Sequence, residues 1–108
     1  MKKITELQKS VIEKKIRIEN NKYIVMLNVM DRNIFPDSKE LNYNIYCVND
    51  NFEIIWEIQT GEEIFDNPDP FVYLIINENG EYQASKYFGF EYILDIETGK
   101  AKMIGWHK

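Results

Sequence analysis

The side chains best able to do chemistry in this 108-residue chain are carboxylates, and they are concentrated in one stretch. Between Glu40 and Ser85 the chain has ten Asp and Glu residues and no Lys or Arg. Uniform negative charge repels nucleic acid and attracts cationic surfaces. We therefore expect this stretch to meet a cationic protein partner, and we expect no nucleic acid to bind.

The densest part of the stretch is the acidic loop, which we define as residues 61–70. Its two prolines, Pro68 and Pro70, exclude the interior of a helix or of a regular strand. Phe65 could anchor an interface while the carboxylates around it face Lys or Arg of a partner. The alternative is a solvated connection with Phe65 packed into the core. The candidate partner-binding residues are Glu53, Glu57, Glu62, Glu63, Phe65, Asp66 and Asp69.

Other uses of the same carboxylates fit the sequence less well. A pair such as Glu62 and Glu63 could act as acid and base in glycoside hydrolysis, and oxygen-rich loops can bind calcium, but the EF-hand spacing is absent. The one histidine, His107, is next to last. No serine lies in a nucleophile-elbow pattern, and no glycine-rich phosphate loop is present. We therefore predict no enzyme activity, no catalytic residue, no metal site and no cofactor.

The net charge of −5 conceals a division along the chain. Residues 1–22 carry a net +4, residues 23–98 carry −12 and residues 99–108 carry +3. The basic first segment has no aromatic residue before Tyr23, and the acidic body opposes a polyanion. Internal charge balance or solubility is therefore the favoured role of these bases.

Composition indicates a single globular domain over residues 1–108, because 44% of the residues are hydrophobic and 29% are charged. Cys47 is the only cysteine, which excludes an internal disulfide and indicates a reducing compartment. Polar residues interrupt the amino-terminal stretch where a signal peptide would be apolar, and no run has the length of a membrane span. We expect a cytoplasmic protein without membrane contact.

The elements that position these residues are predicted to be mainly β. Apolar residues at helical spacing in 4–11, with a capping-box match from Thr5 to Gln8, predict one short helix. Residues 11–19 alternate between apolar and charged, as a half-buried strand does, and 23–30 are apolar on both faces. Asn20-Asn21 between them suits a tight turn.

Three further hairpins are predicted where strand-like runs flank Asn, Asp and Gly: 44–48 with 53–58, 71–76 with 82–87, and 90–96 with 101–106. Residues 31–42 have the composition of a loop. We predict seven or eight mostly antiparallel strands in a curled meander sheet or a small sandwich. Trp56 is expected in the core, whereas the tyrosines suit either recognition or cross-strand pairing.

The hairpins of residues 43–106, with the small size and acidic charge, resemble the small bacterial immunity proteins of polymorphic and contact-dependent toxin systems. Those proteins are short, acidic, cytoplasmic and often β-rich, and each binds one cognate toxin. The resemblance implies an inhibitor whose acidic surface occludes a cationic active site, for example that of a nuclease toxin. The alternative is a non-enzymatic structural or interaction module that forms a homo-oligomer through a β edge. Either the acidic loop or a tyrosine-bearing sheet face would be the binding surface.

Overall fold

The computed structural model describes residues 2–30, 41–61 and 69–106, whose complete elements are one short helix and two antiparallel sheets. After helix α1 (Glu6–Ser10), sheet 1 consists of β1 (Ile12–Ile18), β2 (Lys22–Leu27), β3 (Ile45–Asn49) and β4 (Ile54–Glu57). Sheet 2 consists of β5 (Phe71–Ile76), β6 (Tyr82–Lys86), β7 (Phe90–Leu94) and β8 (Ala101–Trp106). Residues 31–40 of the predicted loop at 31–42, and residues 62–68 of the acidic loop, lie outside the described residues. The last two residues of the predicted loop, Leu41 and Asn42, are helical, so the loop prediction is wrong at those two positions.

Both sheets are meanders, because each strand pairs with the next one along the chain. The four predicted hairpins and the mainly β fold class are therefore confirmed. Asn20 and Asn21, which were predicted to form a tight turn, have φ angles of 61° and 57°. Three residues, 19–21, separate the paired Ile18 and Lys22, and the left-handed values at two of them are ones that asparagine tolerates.

Helix α1 begins at a capping box, as the sequence predicts. The Thr5 hydroxyl accepts a hydrogen bond from the Gln8 N–H at 3.0 Å, and the Gln8 side chain accepts one from the Thr5 N–H at 2.7 Å. Before the helix the chain runs along the edge of sheet 1, where the Ile54 N–H donates to the Lys2 carbonyl at 2.7 Å. No helix in the described ranges is long and apolar enough to span a membrane.

The core has two layers, one on each face of sheet 1. The buried members of the layer between the sheets are Ile24, Met26, Ile45, Cys47, Trp56, Ile58, Phe71, Leu74, Ala84, Tyr92, Leu94 and Ala101. Those of the other layer are Ile4, Val25, Leu27, Val29, Leu41, Tyr46 and Val48. Successive residues of β2 alternate between the layers, which explains why its sequence is apolar on both faces. Trp56 is 7% exposed, so its predicted place in the core is confirmed.

A buried asparagine joins the two sheets. The Asn44 side-chain amide donates to the carbonyls of Leu27 and Phe71, each at 2.8 Å, and its oxygen accepts from the Phe71 N–H at 2.9 Å. The amide therefore pairs with both main-chain groups of Phe71, as a neighbouring strand residue would. On the other side, the Gln59 main chain accepts from the Ala101 N–H at 2.8 Å and donates to the Gly99 carbonyl at 2.8 Å. These contacts fix sheet 2 against sheet 1.

Candidate protein-binding surface

Sheet 2 carries most of the apolar surface that remains exposed in the described part of the chain. Nine of the twelve exposed large hydrophobic side chains belong to its strands and turns. Sheet 1 has a buried layer on both faces, whereas the described residues supply sheet 2 with a buried layer on one face only. Sheet 2 is therefore the candidate location of an interface.

Four exposed aromatic side chains lie on sheet 2 or its turns, and we call them together the aromatic surface: Tyr73, Tyr87, Phe88 and Trp106. The strand register places Tyr73 on the face of Ser85 and Glu91, and Trp106, which is paired with Phe90, on the other face, next to the turn that carries Phe88. Tyr73 lies on β5, Tyr87 and Phe88 form the turn between β6 and β7, and Trp106 ends β8. Tyr73 is 66% exposed and Tyr87 60%. The Tyr87 and Phe88 rings meet edge to face, with centroids 5.4 Å apart, and the Trp106 indole N–H donates to the Phe88 carbonyl at 2.8 Å. These contacts order Tyr87, Phe88 and Trp106, and all four side chains remain exposed to solvent.

Two adjoining grooves lie on this side of the molecule, with volumes of about 490 Å³ and 380 Å³. They share Val72, Tyr73 and Tyr87, so we treat them as one trough. The remaining lining residues of the larger groove are Glu13, Asn28, Val29, Met30, Pro70 and Phe71. Those of the smaller groove are Ser85, Lys86, Phe88, Gly89 and Glu91. The trough is thus lined by residues from both sheets, and two tyrosines lie where its halves meet.

The carboxyl end of the acidic loop is fixed against the aromatic surface. The Asp69 carboxylate accepts a hydrogen bond from the Phe88 N–H at 2.9 Å, and the Pro70 carbonyl accepts one from the Tyr87 N–H at 2.9 Å. The Asp69 N–H in turn donates to the buried side chain of Asn42 at 2.6 Å. The last two residues of the loop therefore set the position of the turn that carries two of the four rings.

The structure separates the candidate acidic residues that it describes. Glu53 is half-buried in the turn between β3 and β4, where its side chain accepts from the Asn49 amide at 2.8 Å. Glu57 is half-buried at the other end of β4, roughly 13 Å farther along the strand at 3.3 Å per residue. Of the described candidates, Asp69 is the one hydrogen-bonded to the aromatic surface. The remaining candidates, Glu62, Glu63, Phe65 and Asp66, lie outside the described residues.

Sequence reasoning considered the tyrosines but did not find the aromatic surface. Alternation along a strand separates two faces without saying which face is buried, so Tyr73 and Tyr87 fitted recognition and cross-strand packing equally well. The available signal was the pair Tyr87-Phe88, because a turn usually contains polar residues and this one carries two aromatic residues.

Other reactive groups offer little chemistry at this site. Burial raises the pKa of the Cys47 thiol, so the thiolate needed for nucleophilic attack is disfavoured in the folded chain. Within residues 2–30, 41–61 and 69–106, no group of three or more His, Cys, Asp and Glu side chains is placed to hold a metal ion. The described surface therefore presents exposed aromatic rings with a carboxylate, Asp69, hydrogen-bonded beside them.

A family model described as a domain of unknown function, DUF7957, matches residues 4–106. The matched range contains helix α1 and all eight strands of the two sheets. No curated protein and no solved structure matches the chain significantly.

Proposed function

Since the chain belongs to the DUF7957 family, a domain of unknown function, we propose its role from its own surface: it is a protein-binding inhibitor of the immunity type. It neutralises one cognate toxin by covering a cationic active site, for example that of a nuclease. The observation that carries the proposal is the exposed aromatic surface held against the end of the acidic loop. Hydrophobic anchors beside carboxylates match what a cationic protein cleft requires.

The size of the aromatic surface indicates that charge must contribute to binding. If each ring buries on the order of 200 Å² in full, four half-exposed rings offer roughly 400 Å², or about 10 kcal/mol of gross hydrophobic free energy. Association itself costs about 4–15 kcal/mol, which offsets most of that gain. The aromatic residues alone would bind weakly, so the carboxylates of the acidic stretch supply complementarity and speed.

The inhibitor acts by occlusion and needs no chemical step. Trp106, Tyr87 and Phe88 lose their exposed area against the toxin, and the acidic stretch around Asp69 lies over the toxin's cationic residues. Attraction between opposite charges accelerates encounter and weakens as salt screens it. We place the protein in the cytoplasm, where the toxin would act and where a free cysteine such as Cys47 stays reduced.

The test uses toxin-like proteins encoded next to this chain, whose binding is measured by isothermal titration calorimetry at low and high salt. Tyr87→Ala with Phe88→Ala should weaken binding by at least about 30-fold, or 2 kcal/mol. Leu7→Ala is the matched control, because Leu7 is equally apolar and exposed but lies on helix α1, away from sheet 2. Failure of every neighbouring protein to bind, or equal loss in the control, contradicts the proposal.

A homo-oligomer is the second candidate, and the edge strand β8 favours it. Met103, Ile104 and Trp106 are all exposed on this strand, and an apolar edge can pair with a second copy of the chain. Light scattering at high protein concentration tests the idea, with Ile104→Lys as the disrupting variant. A dimer that becomes a monomer on this substitution supports the second candidate, and a monomeric parent protein rejects it.

A further inference from the structure

We propose that the trough binds an extended, basic segment of the partner protein, whose arginine or lysine side chains stack on Tyr73 and Tyr87. The inference rests on the proposed function, because it names the part of the partner that this surface takes. Further arginine or lysine side chains of the segment pair with Glu13, which lines the larger groove, and Glu91, which lines the smaller one.

The position of the trough suits an extended segment. It runs from β1 past β5 to β7, and β5 is an edge strand of sheet 2 in the described part of the chain. Peptides in extended conformation commonly bind along sheet edges or in grooves lined by aromatic residues. One part of such a segment would lie in the larger groove and the next part in the smaller groove, with Tyr73 and Tyr87 between them.

The charges that line the trough favour a cationic occupant. Glu13 belongs to the larger groove and Glu91 to the smaller one. The one lysine among the lining residues, Lys86, lies with its ammonium 5.4 Å from the Phe71 ring and 5.5 Å from the Tyr92 ring. Its charge is therefore directed towards aromatic rings of the core, while the two carboxylates disfavour a nucleic acid or an acidic peptide.

The rest of the molecule provides an internal comparison for the cation–aromatic contact. Lys15 lies 4.3 Å from the centre of the Tyr23 ring, and Lys9 lies 4.5 Å from that of Phe52. Tyr73 and Tyr87 are both exposed, and no Lys or Arg of the described residues lies over either ring. A cation of the bound segment would make this contact, and arginine suits it best because its planar guanidinium is weakly hydrated.

The test is a selection of random 12-residue peptides displayed on phage against the intact chain. We expect the enriched peptides to contain arginine or lysine next to apolar residues. A synthetic copy of the best peptide is labelled with fluorescein, and its Kd is measured by fluorescence anisotropy. Tyr73→Ala with Tyr87→Ala, and separately Glu13→Gln with Glu91→Gln, should each raise this Kd by at least about tenfold.

Glu19→Gln with Glu97→Gln is the matched control, because it removes the same charge from exposed positions outside the trough. An equal effect in this control, enriched peptides without basic residues, or no enrichment at all overturns the inference. These results leave the proposed function standing if a toxin still binds through Tyr87 and Phe88. Conversely, basic peptides that bind in the trough when no toxin does support the inference and count against the proposed function.

Discussion

The two tryptophans make the same hydrogen bond at opposite ends of sheet 2, but with opposite results for the surface. The Trp56 indole donates to the Ile96 carbonyl at 2.9 Å, beside the turn between β7 and β8. The Trp106 indole donates to the Phe88 carbonyl at 2.8 Å, in the turn between β6 and β7. Yet Trp56 is 7% exposed and Trp106 is 59% exposed.

The difference shows which end of sheet 2 is complete within the described chain. At one end sheet 1 supplies Trp56, and Gly99 lies so close that an added Cβ would be 2.6 Å from the indole. At the other end sheet 2 supplies its own indole, and the described residues leave most of it exposed. The end with Trp56 contributes to the stability of the fold, whereas the end with Trp106 leaves apolar area exposed that another molecule could bury.

The largest difference between the two ends of sheet 2 should appear in the stability lost when each indole is removed. Trp56→Ala should lower the free energy of unfolding by about 3–5 kcal/mol, because it leaves a large cavity between the sheets. The midpoint of urea unfolding, followed by circular dichroism, measures this. A loss below about 1 kcal/mol in Trp56→Ala would remove the distinction between the two ends.

A pair of glycines sharpens the comparison at the buried end. Gly99→Ala should cost about 2–4 kcal/mol, because its φ of +83° disfavours a side chain and the new Cβ would overlap the Trp56 ring. Gly80→Ala is the matched control, with a φ of +78° and open space around the new Cβ, and should cost only about 1–2 kcal/mol. Equal losses of stability in the two variants would show that the overlap of the new Cβ with Trp56 adds nothing to the cost of Gly99→Ala.

The exposed indole should matter little to stability. Trp106→Ala should lower the free energy of unfolding by about 1 kcal/mol or less, because it removes mostly exposed area and one hydrogen bond. In the calorimetric assay with a toxin it should weaken binding more than it weakens folding. A variant as unstable as Trp56→Ala would place Trp106 in the core instead.

Fluorescence provides the mildest test, since both substitutions keep an aromatic ring. In Trp56→Phe the remaining indole, Trp106, should be quenched readily by iodide, whereas in Trp106→Phe the remaining Trp56 should be protected. Equal quenching constants in the two variants would contradict the contrast in exposure.

The parts of the fold that local sequence controls were predictable. Asn20-Asn21 specifies its turn through the left-handed conformation that Asn tolerates, and the capping box from Thr5 to Gln8 starts the helix with two local hydrogen bonds. Trp56 could be assigned to the core because buried tryptophan is common in small β domains. Each of these predictions depends on contacts within a few residues or on composition.

The parts that depend on distant contacts were not predictable. Asn44 begins a predicted strand, but nothing near it in the sequence indicates that its side chain bonds to both main-chain groups of Phe71, 27 residues away. In the predicted strand at 101–106, Met103, Ile104 and Trp106 are all exposed although they are apolar. Whether a face is covered depends on how sheet 1 meets sheet 2, and alternation along one strand contains no information about that.

The hydrogen bonds of Asp69 couple the acidic loop to the turn between β6 and β7, which carries Tyr87 and Phe88. The residue is bonded through its N–H to Asn42 and through its carboxylate to the Phe88 N–H. A ligand that alters the position of Asp69 must therefore alter the energy of the turn that carries Tyr87 and Phe88. If one ligand binds the loop through Asp69 and another binds Tyr87 and Phe88, each changes the binding constant of the other by the same factor.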